Sequence, residues 1–233
     1  MSANEETRLG GRNWPRVNPG YYQGIVAGYR RRVSGDEYPR MIIDSLDLTE
    51  MYNLTAAKDW ETFTRRLRQS IECLVGGGAE FAAMAANTAH IVFDQVSSQS
   101  PIPVISMIEE TCRQARRNHC HSVVVFGTAF TMSSGLYTAA FARHGIDAFV
   151  PTAEDQAAIH NIIFPHLQEG IVLPEEKQQM LEIARKLISE KNADALVLGC
   201  TELPLIIKEG DLDVLLLDTA QIHIEAILDY MLS

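Results

Sequence analysis

The sequence predicts an α/β fold of two pseudo-symmetric halves, each a mostly parallel sheet flanked by helices, with a ligand site between them. Three observations carry this expectation. Apolar runs of strand length alternate with segments of helical periodicity along the chain, the pattern of a parallel sheet covered by crossover helices. One local pattern occurs twice: residues 78–88 fall without gaps on residues 192–202, with an Ala-acid pair, an apolar run and a small residue before a turn in both. Three strand-to-helix corners, at 86–88, 128–134 and 199–202, are rich in hydroxyls, and the last carries a thiol, Cys200. In an open α/β sheet the carboxyl ends of the strands face the ligand crevice.

The elements follow in order. Residues 1–9 are polar, and Gly10-Gly11 reads as a turn that admits positive φ, followed by Arg12, Asn13 and Trp14. Tyr21 to Val33 reads as a helix ending near Gly35, and Met41 to Asp47 as a strand. From Trp60, the spacing of Phe63, Leu67, Ile71 and Leu74 predicts a helix stopped by Gly76-Gly77-Gly78. A strand over 79–85 leads to Ala86-Asn87-Thr88, a helix continues through Ile91-Val92-Phe93, and residues 101–105 form a short strand at a crossing between halves. Met107 to Asn118 is helical, and 122–128 is the clearest buried strand, opening into a helix after Ala129. A strand at 148–150, a helix from about 154 to 168, a second helix with Met180, Ile183, Ala184 and Leu187 on one face, the Cys200 strand, a strand at 214–218 and a helix over 219–231 complete the chain. The expected division is 1–104 plus 214–233 for the N-terminal half and 105–213 for the C-terminal half.

Composition narrows the function. A net charge of −10 argues against nucleic acid or an anionic membrane as main partner. No apolar run approaches the roughly 18 residues of a membrane helix, and the N-terminus lacks a secretory core, so a cytoplasmic location is expected. The 4 cysteines, Cys73, Cys112, Cys120 and Cys200, lack CxxC spacing and read as reduced thiols. Cys73 and Cys112 lie in helical patterns as small core residues. His119-Cys120-His121 cannot turn three consecutive side chains to one ion, so no metal is expected.

Asn87, Thr88, Thr131, Thr201 and the neighbouring backbone N–H groups are neutral donors suited to a carboxylate. A thiol beside that carboxylate is placed to take a proton from the adjacent carbon. At a helix N-terminus such a thiol is favoured as thiolate, which predicts Cys200 as the most reactive cysteine. Glu202 either orients Cys200 or favours the following helix N-terminus. His90 is a candidate base or a packing residue, and His160 has no assigned role.

Asn87-Thr88-Ala89-His90, Gly127-Thr128 with Thr131-Met132-Ser133-Ser134-Gly135, and Gly199-Cys200-Thr201-Glu202-Leu203 together resemble the aspartate/glutamate racemase superfamily. The resemblance runs from Gly10-Gly11 to the final helix. It implies two facing α/β domains, a cysteine from each flanking the substrate α-carbon, no pyridoxal phosphate or other cofactor, and a homodimer. This chain departs from the pattern at the first cysteine, where Ala86 stands, and in lacking an apolar strand before Gly10-Gly11. A natural single-cysteine racemase, a protein whose first cysteine was removed, and a relative with different chemistry all remain open at this point. Arylmalonate decarboxylase, of the same superfamily, uses only the second cysteine. The expected function is a racemase-like exchange of the α-proton of a small acidic amino acid, aspartate or glutamate, with Cys200 and the Ala86 position as catalytic sites and Asn87, Thr88, Thr131, Thr201 and Glu202 around the substrate. The alternatives are decarboxylation or isomerisation of a related diacid, and a non-catalytic ligand-binding relative.

Overall fold

The computed structural model describes residues 17–233. The expected Gly10-Gly11 turn, with Arg12, Asn13 and Trp14, lies outside the described residues. In chain order the elements are α1 (Val17–Arg32), α2 (Leu48–Ala57), α3 (Trp60–Gly76), β1 (Ala82–Ala83), a 3-10 turn (Thr88–Val92), α4 (Phe93–Ser97), β2 (Val104–Ile105) and α5 (Met107–Arg117). There follow β3 (Ser122–Gly127), α6 (Ala129–Ser133), α7 (Leu136–Arg143), β4 (Asp147–Phe149), α8 (Ala153–Ile163) and a 3-10 turn (Leu167–Glu169). The chain closes with α9 (Pro174–Lys191), β5 (Ala195–Gly199), α10 (Leu203–Ile206), β6 (Leu215–Asp218) and α11 (Thr219–Met231).

All described strands pair in parallel. A four-stranded sheet has the order β4-β3-β5-β6, and β1 pairs with β2 in a separate two-stranded sheet. Residues of β3 and β5 alternate between two cores, as a pleated strand requires. Val124, Phe126, Leu196 and Leu198 pack with α8 and α9 residues such as Ile159 and Met180, whereas Val123, Val125, Ala195 and Val197 pack with Cys112, Ala140 and Phe141 of α5 and α7. Burial on both faces explains why these strands read as continuous apolar runs rather than as alternation. A third core joins Phe63, Leu67 and Ile71 of α3 to Ala82, Met84, Val92 and Val96.

Side-chain oxygens set most helix starts: Asp47 accepts from the Thr49 and Glu50 N–H groups, Ser106 from Glu109, Thr152 from Asp155, and Asp218 from Ala220 and Gln221. Three expectations are corrected. Met41 to Asp47 forms no strand; Ile42 and Ile43 are exposed, and no neighbouring strand among the described residues offers them a ladder. The strand expected over 79–85 contracts to Ala82–Ala83, where alanines give the ladder little cross-strand packing. The helix expected to run to Gln168 ends at Ile163, because Pro165 has no N–H to continue it.

Strand β6, in a segment grouped with the N-terminal half on the sequence, hydrogen-bonds to β5 through Ala195↔Leu215 to Leu198↔Asp218. Helix α11 then packs Ile224, Ile227 and Leu228 against Tyr21 and Ile25 of α1. The chain thus crosses between layers at Asp218-Thr219. Among the described residues no helix is long and apolar enough to cross a membrane.

Candidate active site

Register brings two of the three corners together. Gly127 of β3 stands opposite Gly199 of β5, so the residues following each strand emerge side by side. Neither position has room for a side chain: a Cβ on Gly199 would lie 2.7 Å from the Phe126 carbonyl oxygen, and one on Gly127 would lie 2.9 Å from the Thr131 methyl. Thr131 fills that gap with its methyl and turns its hydroxyl to Thr128, 3.1 Å away. The third corner is tied to this pair by Asn87, whose Oδ1 accepts from the Tyr137 hydroxyl and whose Nδ2 donates to Thr219 Oγ1 at 3.3 Å. The Thr219 hydroxyl donates in turn to the Leu198 carbonyl at 2.9 Å.

A cavity of about 980 Å³ opens between the corners, lined by Ala86, Asn87, Thr88, Thr131, Cys200, Thr201 and Glu202, and so by every residue named for the site from the sequence. That volume is at the upper end of the usual range for small-molecule sites, roughly 300–1,000 Å³. Cys200 and Glu202 are buried, and the Cys200 Sγ donates to Glu202 Oε2 at 3.0 Å. The Thr201 hydroxyl donates to the same oxygen at 2.8 Å. Burial, then the Glu202 charge and hydrogen bond, hold the thiol well above its usual pKa; backbone N–H groups of Glu202 and Thr201 act the other way.

This direction corrects the expectation of a favoured thiolate. The helix after Cys200 has only the four residues Leu203–Ile206, too short for a substantial dipole, while the nearest formal charge is negative. The other corners open onto short elements as well, a 3-10 turn and the five-residue α6. Cys73 is exposed rather than in the core, whereas Cys112 is buried and its thiol is pushed up to about 12.

The remaining candidates take distinct places. Thr88 has no side-chain hydrogen bond to the described residues, which leaves its hydroxyl available to a ligand. Thr201 has its hydroxyl proton on Glu202. His90 is buried outside the cavity lining, with Nδ1 donating to the Ala86 carbonyl at 3.0 Å and Nε2 accepting from the Met107 N–H at 3.0 Å. With both ring nitrogens committed and burial lowering its pKa to about 4, His90 holds the Ala86 corner in place rather than reaching a substrate. His160 accepts weakly from the Ala129 N–H at 3.4 Å and packs against Phe164.

Sequence reading missed Tyr52, Phe164 and Gln168, which line the same cavity. Gln168 Nε2 donates to the Tyr52 hydroxyl at 3.3 Å, and the Tyr52 and Phe164 rings meet edge-on. Burial raises the Tyr52 pKa, the Gln168 hydrogen bond opposes this, and the Glu202 and Cys200 charges add to the rise. No local motif announces such a group, because α2 and the 164–168 turn meet only through the fold.

The model of the Asp/Glu/hydantoin racemase family matches residues 9–227. The chain belongs to that family. It is 31% identical over 154 residues to a glutamate racemase of Koribacter versatilis and 32% identical over 152 residues to one of Syntrophus aciditrophicus, each match covering 64% of this chain. The chain spans about half the length of these curated relatives, 50% and 54% respectively. Among solved structures, an aspartate racemase homologue from Pyrococcus horikoshii superposes with a TM-score of 0.84 at 29% identity, covering 94% of this chain and 95% of that one. A proposed Asp/Glu racemase from Yersinia pestis gives a TM-score of 0.88 at 27% identity, with the same coverage.

Proposed function

We propose that this member of the racemase family exchanges the α-proton of an amino acid through one thiol, Cys200, without a cofactor. The observation that carries the reading is the buried Sγ–Oε2 pair at 3.0 Å on the wall of the cavity that Ala86 also lines. The pair holds one acidic proton between two basic atoms. Transfer of that proton from Sγ to Glu202 leaves a thiolate steadied by the Thr201 and Glu202 N–H groups. The thiolate then takes the α-proton, and the electron pair of the broken C–H bond delocalises into the substrate carboxylate. Thr88, the Thr131 hydroxyl and the free amide hydrogen of Asn87 hold that carboxylate, while the Thr201 hydroxyl stays on Glu202.

Return of a proton from Sγ restores the starting enantiomer, whereas inversion requires a donor on the opposite face. Ala86 has no proton to give, so water must serve there and inversion is slower than exchange. Aspartate and glutamate, named in the relatives, are the first substrates to assay. A two-half division at 104–105 with the return crossing at Asp218-Thr219, a homodimer and a cytoplasmic location are part of the same proposal; sedimentation of the purified protein tests the dimer.

Incubation in deuterated water with proton NMR tests the chemistry. Loss of the α-proton signal of an amino acid in the parent, absent in Cys200→Ala, is expected. Equal exchange in the two proteins would end the proposal. A second reading, decarboxylation of a related diacid, is favoured by the thiol being held protonated, ready to deliver a proton to a carbanion. Carbon dioxide release from a disubstituted malonate, with no exchange on amino acids, would select it, and a protein that binds ligand but does neither would be a non-catalytic relative.

A further inference from the structure

The amide at the first corner is held by residues that do not face the ligand themselves. Asn87 lines the cavity; Tyr137 and Thr219 do not, and both are buried behind it. A primary amide carries its two donors on one atom and its acceptor on another, so its value to an anion depends on which way round it sits. The hydrogen bonds behind Asn87 decide this. A carbonyl only accepts, so the Thr219 hydroxyl gives its one proton to the Leu198 oxygen at 2.9 Å and accepts from Asn87 Nδ2 at 3.3 Å. Asn87 Oδ1 then faces Tyr137, whose hydroxyl donates to it. Burial pushes the phenol's pKa up and keeps that proton in place. The Tyr137 ring passes beside Gly199, its Cε2 3.4 Å from where a Cβ would stand, and so reaches Asn87 from next to the Cys200 corner.

We infer that Tyr137 and Thr219 are positioning residues, which lock the Asn87 amide with its second N–H toward the substrate carboxylate. The inference rests on the proposed α-proton exchange and adds the residues that orient one of its donors. A reversed amide presents an oxygen to that carboxylate instead. The repulsion grows as the electron pair of the broken C–H bond delocalises into it, so the orientation matters most when the α-proton leaves. The lock also ties the two facing corners together. Leu198 stands two residues before Cys200, and its carbonyl holds Asn87 through a single hydroxyl. Hydrogen bonds in series in a buried, low-dielectric setting reinforce one another, which keeps the donor fixed relative to the thiol.

The test measures kcat/KM for α-deuterium incorporation by the full chain into the fastest-exchanging of L- and D-aspartate and L- and D-glutamate. Asn87→Ala is expected to lower it by roughly 10²-fold, the cost of one donor to a developing charge, and Tyr137→Phe by about tenfold, because the amide stays but turns. The two changes combined should cost no more than Asn87→Ala alone, since Tyr137 acts only through that amide. Thr219→Ser keeps the hydroxyl and should retain parental kinetics, whereas Thr219→Val keeps the shape and should fall with Tyr137→Phe. An undiminished Tyr137→Phe, losses that add in the double variant, or a Thr219→Ser as impaired as Thr219→Val each overturn the inference and leave the exchange chemistry standing. A merely structural role would damage the site with or without the amide. If Tyr137→Phe fails to fold, the two Thr219 variants decide. No exchange by the parent overturns both the inference and the reading on which it rests.

Discussion

At the scale of single residues, the pairing of Cys200 with Glu202 governs reactivity. Because burial and the adjacent carboxylate raise the thiol's pKa, little of it is thiolate at neutral pH, and thiolate is the species that alkylates. Iodoacetamide at pH 7.5 is therefore expected to label the exposed Cys73 first, with Cys200 and Cys112 slow, as mass spectrometry of the digested protein would reveal. Glu202→Gln removes both ways in which the carboxylate raises the pKa and should speed Cys200 labelling. Unchanged labelling in the variant would mean that burial alone controls the thiol. Asn87, Thr88, Thr131, Cys200 and Thr201 could be named as candidates from the sequence, since each follows a strand and carries a hydroxyl, amide or thiol. The protonation state was not, because it depends on a carboxylate turning back onto the sulfur two residues earlier.

Between elements, His90 and Gly199 fix the corners. His90 joins the Ala86 carbonyl to the start of α5, and His223 joins the Tyr21 hydroxyl, 2.9 Å away, to the Ile105 carbonyl at 3.1 Å. Both imidazoles are neutral, lowered to about 4 for His90 and about 3 for His223, mainly by burial. In the unfolded chain each charges near pH 6.5. The unfolded state thus binds more protons below that value, so stability falls as pH drops from about 6.5 and the loss is complete below the folded values. Urea unfolding at pH 7 and pH 5 should differ by about 2 kcal/mol per histidine at most, and His90→Asn should flatten part of that slope. An identical slope in the variant would contradict the assignment. Gly199→Ala should cost about 1–3 kcal/mol by forcing a Cβ onto the Phe126 carbonyl, read as a lower Tm.

Elements buried on both faces, β3 and β5, were plain in the sequence, as were helices bounded by glycine or by an oxygen-bearing cap. The segment 41–47 misled because an apolar run signals a strand only where a neighbour completes the ladder. Helix α2 escaped notice for a related reason: none of its residues is buried, so its apolar periodicity is weak.

For the molecule as a whole, the duplicated pattern led to corners that line one cavity, with Ala86 and Cys200 both on its wall. What it could not reveal is the chain's return through β6 into the four-stranded sheet and through α11 back onto α1, or the neutral wall contributed by α2 and the 164–168 turn. Those contacts join segments far apart in sequence and leave no local signature.

The central claim is that proton chemistry proceeds through Cys200 with no partner thiol on the other face. The most direct measurement compares deuterium incorporation with loss of optical activity, followed by circular dichroism, for the amino acid that exchanges fastest. In the parent, incorporation should outpace inversion, and Ala86→Cys should raise inversion by about 10²-fold, the usual contribution of a positioned acid or base. Inversion as fast as exchange in the parent, or no gain in a folded Ala86→Cys variant that still exchanges, would contradict it.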